Sequence, residues 1–179
     1  TNDTLAIMAS GLAGNKEITE KNEDYKTFVS ALKEACKSLA KKLAADGEGA
    51  SKLLICNVKG AKSKKDAVGI AKTVIGSSLV KTAMFGSDAN WGRILCAIGY
   101  SGMDVDITKV KVTFVSEMGE LLVCENGAGV GFDEEKAKEV LLEDTITINI
   151  ELGDGDAEAE SYGCDLTYDY VKINGDYRT

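Results

Sequence analysis

Two strictly alternating stretches in the second half of this chain constrain its fold more than any other feature. Lys109 to Val115 reads KVKVTFV, and Thr145 to Leu152 reads TITINIEL. Side chains of a strand point to opposite faces in turn, so apolar residues at every second position predict strands with one buried face. Each stretch runs into a turn. Met118-Gly119-Glu120 leads to Leu121–Cys124 and predicts a β-hairpin. Gly153-Asp154-Gly155 leads to Glu158–Thr167, which alternates back and predicts a second hairpin. Between them Asp133 stands as the N-cap of a helix running to Leu142.

The first half follows the helical period. From Glu23 to Asp46 the apolar residues Tyr25, Phe28, Val29, Leu32, Ala35, Cys36, Leu39 and Leu43 fall in steps of three and four on one face. Asn22 is the expected N-cap, Glu23 and Asp24 suit the positive end of the dipole, and Gly47 and Gly49 end the helix. Lys52–Lys59 has the apolar content of a strand. Ser63 with Asp66 predicts a capped helix whose inner face is Ala67, Val68, Ile70, Ala71, Val74 and Ile75. Trp91–Tyr100 is a third helical segment, and Leu5–Leu12 is either a buried strand or a first helical turn. This order predicts an α+β fold, a mixed or antiparallel sheet covered by helices, as one domain or two lobes of about 1–105 and 106–179.

Composition excludes several function classes. The formal net charge of −8, without a basic patch, disfavours nucleic acid and anionic membranes as partners. No apolar run approaches the ~18 residues of a membrane span, and no secretion-signal pattern is visible. There is no His, which removes Ser-His-Asp and Cys-His catalysis and imidazole-based zinc sites. Cys36, Cys56, Cys96, Cys124 and Cys164 lack metal-ligand spacing, so reduced core thiols and a cytoplasmic protein are expected. The acidic group Glu151, Asp154, Asp156, Glu158 and Glu160 does not fit an EF-hand loop and is expected to be a solvated hairpin tip. No metal and no cofactor is expected.

Four segments could carry chemistry. In Asp46-Gly47-Glu48-Gly49-Ala50 a carboxylate stands between two glycines, so Glu48 is either aimed into a cleft or part of a solvent-facing helix cap. Lys81–Gly102 holds the single Trp in Asp88-Ala89-Asn90-Trp91-Gly92-Arg93, read either as an anion-binding turn or as an N-capped helix with an aromatic anchor. Gly127, Gly129 and Gly131 alternate, but they do not bridge a strand to a helix as a dinucleotide fingerprint requires. Thr1 could act as a nucleophile with its own α-amine as base, or simply be where the chain begins. The tail Gly163–Thr179 has three tyrosines, Leu166, Val171 and Ile173, which read as strand plus a docked end with Asn174 and Thr179 near its tip.

Taken together, Thr1-Asn2-Asp3, Asp46-Gly47-Glu48-Gly49-Ala50, Phe85-Gly86-x-Asp88-x-Asn90-Trp91-Gly92-Arg93-Ile94, Tyr100-Ser101-Gly102, Gly163–Val171, Ile173-Asn174 and Tyr177-Arg178-Thr179 resemble the C-terminal (β chain) part of the ornithine acetyltransferase, or glutamate N-acetyltransferase, family. The resemblance covers the whole chain. It implies an αββα-like layered sandwich of an N-terminal-nucleophile-type acyltransferase. It also implies a cytosolic enzyme of arginine biosynthesis that moves acetyl from N-acetylornithine to glutamate through an acetyl-threonine, with acetyl-CoA as an additional donor in some members. The precursor cleaves itself before a Thr, and the α and β chains stay together as α2β2 or a larger oligomer.

By the same resemblance Glu48, Asn174 and Thr179 hold the substrate, while Asp88, Asn90, Trp91 and Arg93 support the site. The family's nucleophile lies in an Ala-Thr-Met type sequence upstream of Thr-Asn-Asp. By that register Thr1 is not the nucleophile, and the isolated chain is expected to be inactive. The alternatives are an autonomous N-terminal-Thr amidohydrolase using Thr1 and a non-catalytic assembly fragment.

Overall fold

The computed structural model describes residues 3–177. Thr1 and Thr179 lie outside the described residues. The chain forms two compact units, Thr1–Leu43 and Ala44–Thr179. Strands from both sides of position 105 join one sheet in the second unit, so its division from the first falls well before the one expected near 105.

The first unit leads into the long helix α1 (Glu23–Ala45). Asn22 caps it as predicted, its Oδ1 accepting from Tyr25 N at 3.0 Å. The apolar stripe is present, but no residue of α1 is buried within this chain. Leu5–Leu12 is neither strand nor helix, and Ile7, Met8 and Leu12 stand exposed.

The second unit begins with β1 (Leu53–Ala61), followed by α2 (Lys64–Gly76), α3 (Ser78–Phe85) and α4 (Trp91–Gly99). Then come β2 (Lys111–Ser116), β3 (Gly119–Glu125), the two-residue β4 (Ala128–Gly129), α5 (Glu134–Leu141), β5 (Thr145–Glu151), β6 (Ala157–Cys164) and α6 (Tyr168–Asp176). The strands make one six-stranded mixed sheet in the order β4-β3-β2-β5-β1-β6, with β1 parallel to β5 and the other pairs antiparallel. This is the α+β class that the alternation predicted. Among the described residues there is one sheet, so the second sheet of a layered sandwich is not in them.

Alternation decides which face is covered. Leu54, Cys56 and Val58 of β1 register with Ile146, Ile148 and Ile150 of β5, and Val112 and Phe114 of β2 continue the row. All of these are buried in one cluster with the inner faces of α2–α5. Burying each such Ile contributes roughly 2 kcal/mol before conformational entropy is counted. The alternate residues Ile55, Asn57, Thr113, Thr147 and Asn149 on the other face are half-exposed, and Asn57 Nδ2 donates to Asn149 Oδ1 at 3.1 Å.

Three elements differ from expectation. First, β6 does not return along β5 as a hairpin; it crosses the end of β1 and pairs with the far edge of that strand. The turn is satisfied there, with Leu152 N donating to Lys59 O at 2.9 Å and Asp154 N to Gly60 O at 2.8 Å. Second, α3 follows α2 with one residue between, and Ser77 ends one helix and caps the next, so the sequence showed no gap. Third, the tail from Tyr168 is a helix rather than a strand. Thr167 caps it, Asp169 sits in its first turn, and Tyr168, Tyr170, Val171 and Ile173 remain exposed, so no burial draws them into a sheet.

The cysteines are free, and the core-thiol expectation holds for Cys56 and Cys124; Cys36 and Cys164 are half-buried and Cys96 is exposed. Burial pushes the Cys56 thiol up to about 12, which makes it inert at neutral pH. No single helix among the described residues is long and apolar enough to cross a membrane.

Candidate functional site

The segment Asp46–Lys52 connects α1 to β1 and carries Glu48 on a tight turn in which Ala50 N donates to Gly47 O at 2.9 Å. Gly49 has φ +67, and a Cβ there would meet Tyr170 N at 2.7 Å and Asp169 C at 2.9 Å. Only a glycine both adopts that conformation and lets the first turn of α6 approach so closely. The result joins two segments distant in sequence. Asn174 Nδ2 donates to Glu48 Oε2 at 3.0 Å across 126 positions, and also to Tyr170 O of its own helix at 3.0 Å.

Beneath this pair lies a buried set of bonds. Asp165 is 3% exposed, and its Oδ1 accepts from Ser51 N at 2.8 Å and Lys52 N at 3.0 Å. The Ser51 hydroxyl donates to its other oxygen. Thr167 Oγ1 donates to Gly49 O at 2.6 Å and accepts from Tyr170 N at 3.2 Å. Beside it an open cleft of about 330 Å³ is lined by Gly49, Ala50, Ser51, Phe85, Thr167, Tyr168 and Asp169. Phe85 and Tyr168 meet edge to face across it, ring centroids 5.5 Å apart.

Lys52 is a buried cation whose three protons are all engaged, with Met84 O at 2.8 Å, Ser87 Oγ at 2.9 Å and Leu141 O at 2.6 Å. Burial lowers its pKa, while Asp165 and Asp144 act to raise it. Ser87 Oγ in turn donates to Leu141 O at 3.1 Å. This Ser-Lys contact is therefore a tie between the C-terminal ends of α3 and α5, since the amine has no free lone pair and the hydroxyl proton is already committed.

The Trp-centred segment resolves into structural support. Asn90 Oδ1 caps α4 by accepting from Arg93 N at 3.1 Å, and Asn90 Nδ2 donates to Asp88 Oδ2 at 3.0 Å. Arg93 Nη1 donates to Leu79 O at 2.9 Å and Thr82 Oγ1 at 3.1 Å on α3. Trp91 lies against the backbone of Gly129, where a Cβ would sit 2.5 Å from the ring, which is why a glycine belongs at that position of the Gly127-x-Gly129-x-Gly131 run. Of the residues expected to hold substrate, the structure brings Glu48 and Asn174 together, and Thr179 is outside the described residues. Asp165 and Thr167 fall inside the Gly163–Val171 motif, and a hydroxyl two residues ahead of Asp169 at a helix start is the sequence signal for Thr167 as a cap.

Comparison with known proteins identifies the family. The model of the ArgJ family matches residues 1–179. The chain belongs to the ArgJ family. The arginine biosynthesis bifunctional protein ArgJ of Caldanaerobacter subterraneus subsp. tengcongensis is 54% identical over the whole chain, which spans 44% of that protein. The mitochondrial ArgJ of Schizosaccharomyces pombe is 46% identical, and the chain spans 41% of it. The crystal structure of ArgJ from Bacillus halodurans superposes with a TM-score of 0.91 at 45% identity, covering 99% of this chain and 82% of that one. The chain thus spans less than half the length of the full ArgJ relatives it matches, but most of the crystallised ArgJ chain.

Proposed function

We propose that this chain is the substrate-holding portion of an acetyltransferase of arginine biosynthesis. It moves acetyl from N-acetylornithine to glutamate, with the nucleophilic Thr on a polypeptide upstream of residue 1. The observation that carries the reading is the Glu48–Asn174 hydrogen bond at 3.0 Å, which sets a carboxylate and an amide side by side at the surface. A carboxylate recognises an ammonium group, and an amide can meet either end of an amino acid without adding charge. Thr179, five residues beyond Asn174, is assigned to the same task. The Ser87–Lys52 contact is consumed in structure and supplies no activated hydroxyl.

In the proposed reaction a Thr hydroxyl attacks the acetyl carbonyl, the amide C–N bond breaks, and ornithine leaves with the proton. The amine of glutamate then attacks the ester and regenerates the hydroxyl. Partner chain and oligomer follow: an α chain from the same precursor, in an α2β2 or larger assembly in the cytoplasm, with acetyl-CoA as a second donor. The chain covers 82% of a crystallised ArgJ chain but 44% or less of two full-length relatives, which fits a protein that works as two polypeptides.

The test is Glu48→Gln in the full-length protein. The expected result is a rise in KM for N-acetylornithine of about tenfold, the scale of one lost charge-assisted bond, with an unchanged thermal midpoint. Unaltered kinetics in this variant, or full activity after deletion of Thr179, would overturn the reading.

A further inference from the structure

Glu48 stands exposed on a glycine-flanked connection, where a side chain should sample many directions. Substrate recognition requires the opposite, a carboxylate held in one place before the ligand arrives. The bonds that hold it come from the β6–α6 junction. Asp165 fixes the downstream end of the connection through Ser51 N, Lys52 N and the Ser51 hydroxyl. Thr167 fixes the residue next to Glu48 by donating to Gly49 O at 2.6 Å.

Thr167 also sets the other half of the pair. The oxygen that donates to Gly49 O accepts from Tyr170 N at 3.2 Å and so starts α6. Asn174 follows seven residues later, close to two helical turns, which returns it to nearly the same side of the helix. One hydroxyl therefore fixes the origin of the helix that carries Asn174 and the backbone of the turn that carries Glu48. Both anchors are buried, Asp165 at 3% and Thr167 at 7% exposed, so water competes poorly for these bonds.

We propose that Thr167, backed by Asp165, is a positioning residue that locks the Glu48 turn to α6 and holds Glu48 and Asn174 as one preformed substrate clamp. This rests on the reading of Glu48 and Asn174 as substrate-holding groups. The lock acts through those two side chains and touches no reacting atom. Losing it weakens amino-acid binding more than it slows acetyl transfer from bound substrate.

The experiment uses the full-length enzyme and four variants: Thr167→Val, Thr167→Ser, Glu48→Gln, and Glu48→Gln with Thr167→Val. Val keeps the shape and removes the hydroxyl, while Ser restores it. The expected result is a KM for N-acetylornithine raised about tenfold in Thr167→Val with kcat changed much less, and recovery in Thr167→Ser. In the Glu48→Gln background the effect of Thr167→Val should shrink, because the group it positions is already impaired. A raised KM in Glu48→Gln with none in Thr167→Val overturns the positioning role alone, and so does full additivity in the double variant. An unchanged KM in Glu48→Gln overturns the substrate-holding reading and this role with it. If Thr167→Val does not assemble, Ser51→Ala removes one of the three bonds to Asp165 at an exposed position and carries the same measurement.

Discussion

Lys52 shows how a single residue can knit distant segments together. A buried ammonium loses its hydration, and the lowered pKa reflects that loss. It reaches carbonyls at two helix C-termini at once, where the dipole favours a cation. Lys52→Met keeps the length and apolar stem but removes all three donors. Met84 O still accepts from Ser87 N at 3.1 Å and Leu141 O from Ser87 Oγ at 3.1 Å, so the carbonyls are weakened rather than stranded. The expected loss is about 2 kcal/mol of stability, read as a lower denaturation midpoint. A midpoint equal to wild type would mean that the ammonium costs as much in desolvation as its bonds return. The sequence could not show this residue, because a Lys ahead of an apolar strand reads as a solvated flank. At the same scale, the flanking glycines single out Glu48 and the tail tip singles out Asn174, but nothing in their local spacing predicts that they meet.

At the scale of elements, caps and alternation were legible because each is enforced within a few residues. Ser63 accepts from Asp66 N at 3.1 Å, Asp133 accepts from Glu135 N at 2.9 Å, and the β2–β3 hairpin forms, turning at Glu117-Met118, one residue ahead of the expected Met118-Gly119-Glu120. Alternation encodes which face of a strand is buried but not which strand lies beside it. That is why β6 was placed against β5 although β1 lies between them. The crossing turn is held by Asp154, whose carboxylate accepts from Lys109 Nζ at 2.8 Å and Asp106 N at 3.1 Å. The bond from Lys109, then that from Asp106 N, holds the Asp154 carboxyl below the usual carboxylate range. A carboxylate with a depressed folded pKa contributes stability that is present above its unfolded pKa and is lost as pH falls through the folded one. The thermal midpoint of wild type should therefore drop below about pH 4, and the same acid limb should be shallower in Asp154→Asn. Parallel acid limbs for the two proteins would remove Asp154 from the account.

At the scale of the whole molecule, the second unit closes its own core, while large apolar residues of α1 and α6 stay exposed. The helices α2–α5 and one face of the sheet close a core without buried side-chain polar atoms lacking partners among the described residues. The candidate site sets the Glu48 carboxylate beside the Asn174 amide. Its ArgJ relatives are more than twice as long as the matched segment. On the proposed function, the 179 residues expressed alone should fold, as shown by a cooperative thermal transition, yet transfer no acetyl group. The full-length protein should purify as two co-eluting polypeptides. With isotopically labelled N-acetylornithine and no acceptor, the acetyl label should be trapped on a Thr upstream of this segment and on none of its own residues. Label on Thr1 would instead make this chain its own catalyst, with the α-amine as base, and the Glu48–Asn174 pair would then have to be read as part of that site. Absence of label from both polypeptides, with transfer still proceeding, would exclude an acetyl-enzyme and leave direct attack of the acceptor amine on bound N-acetylornithine.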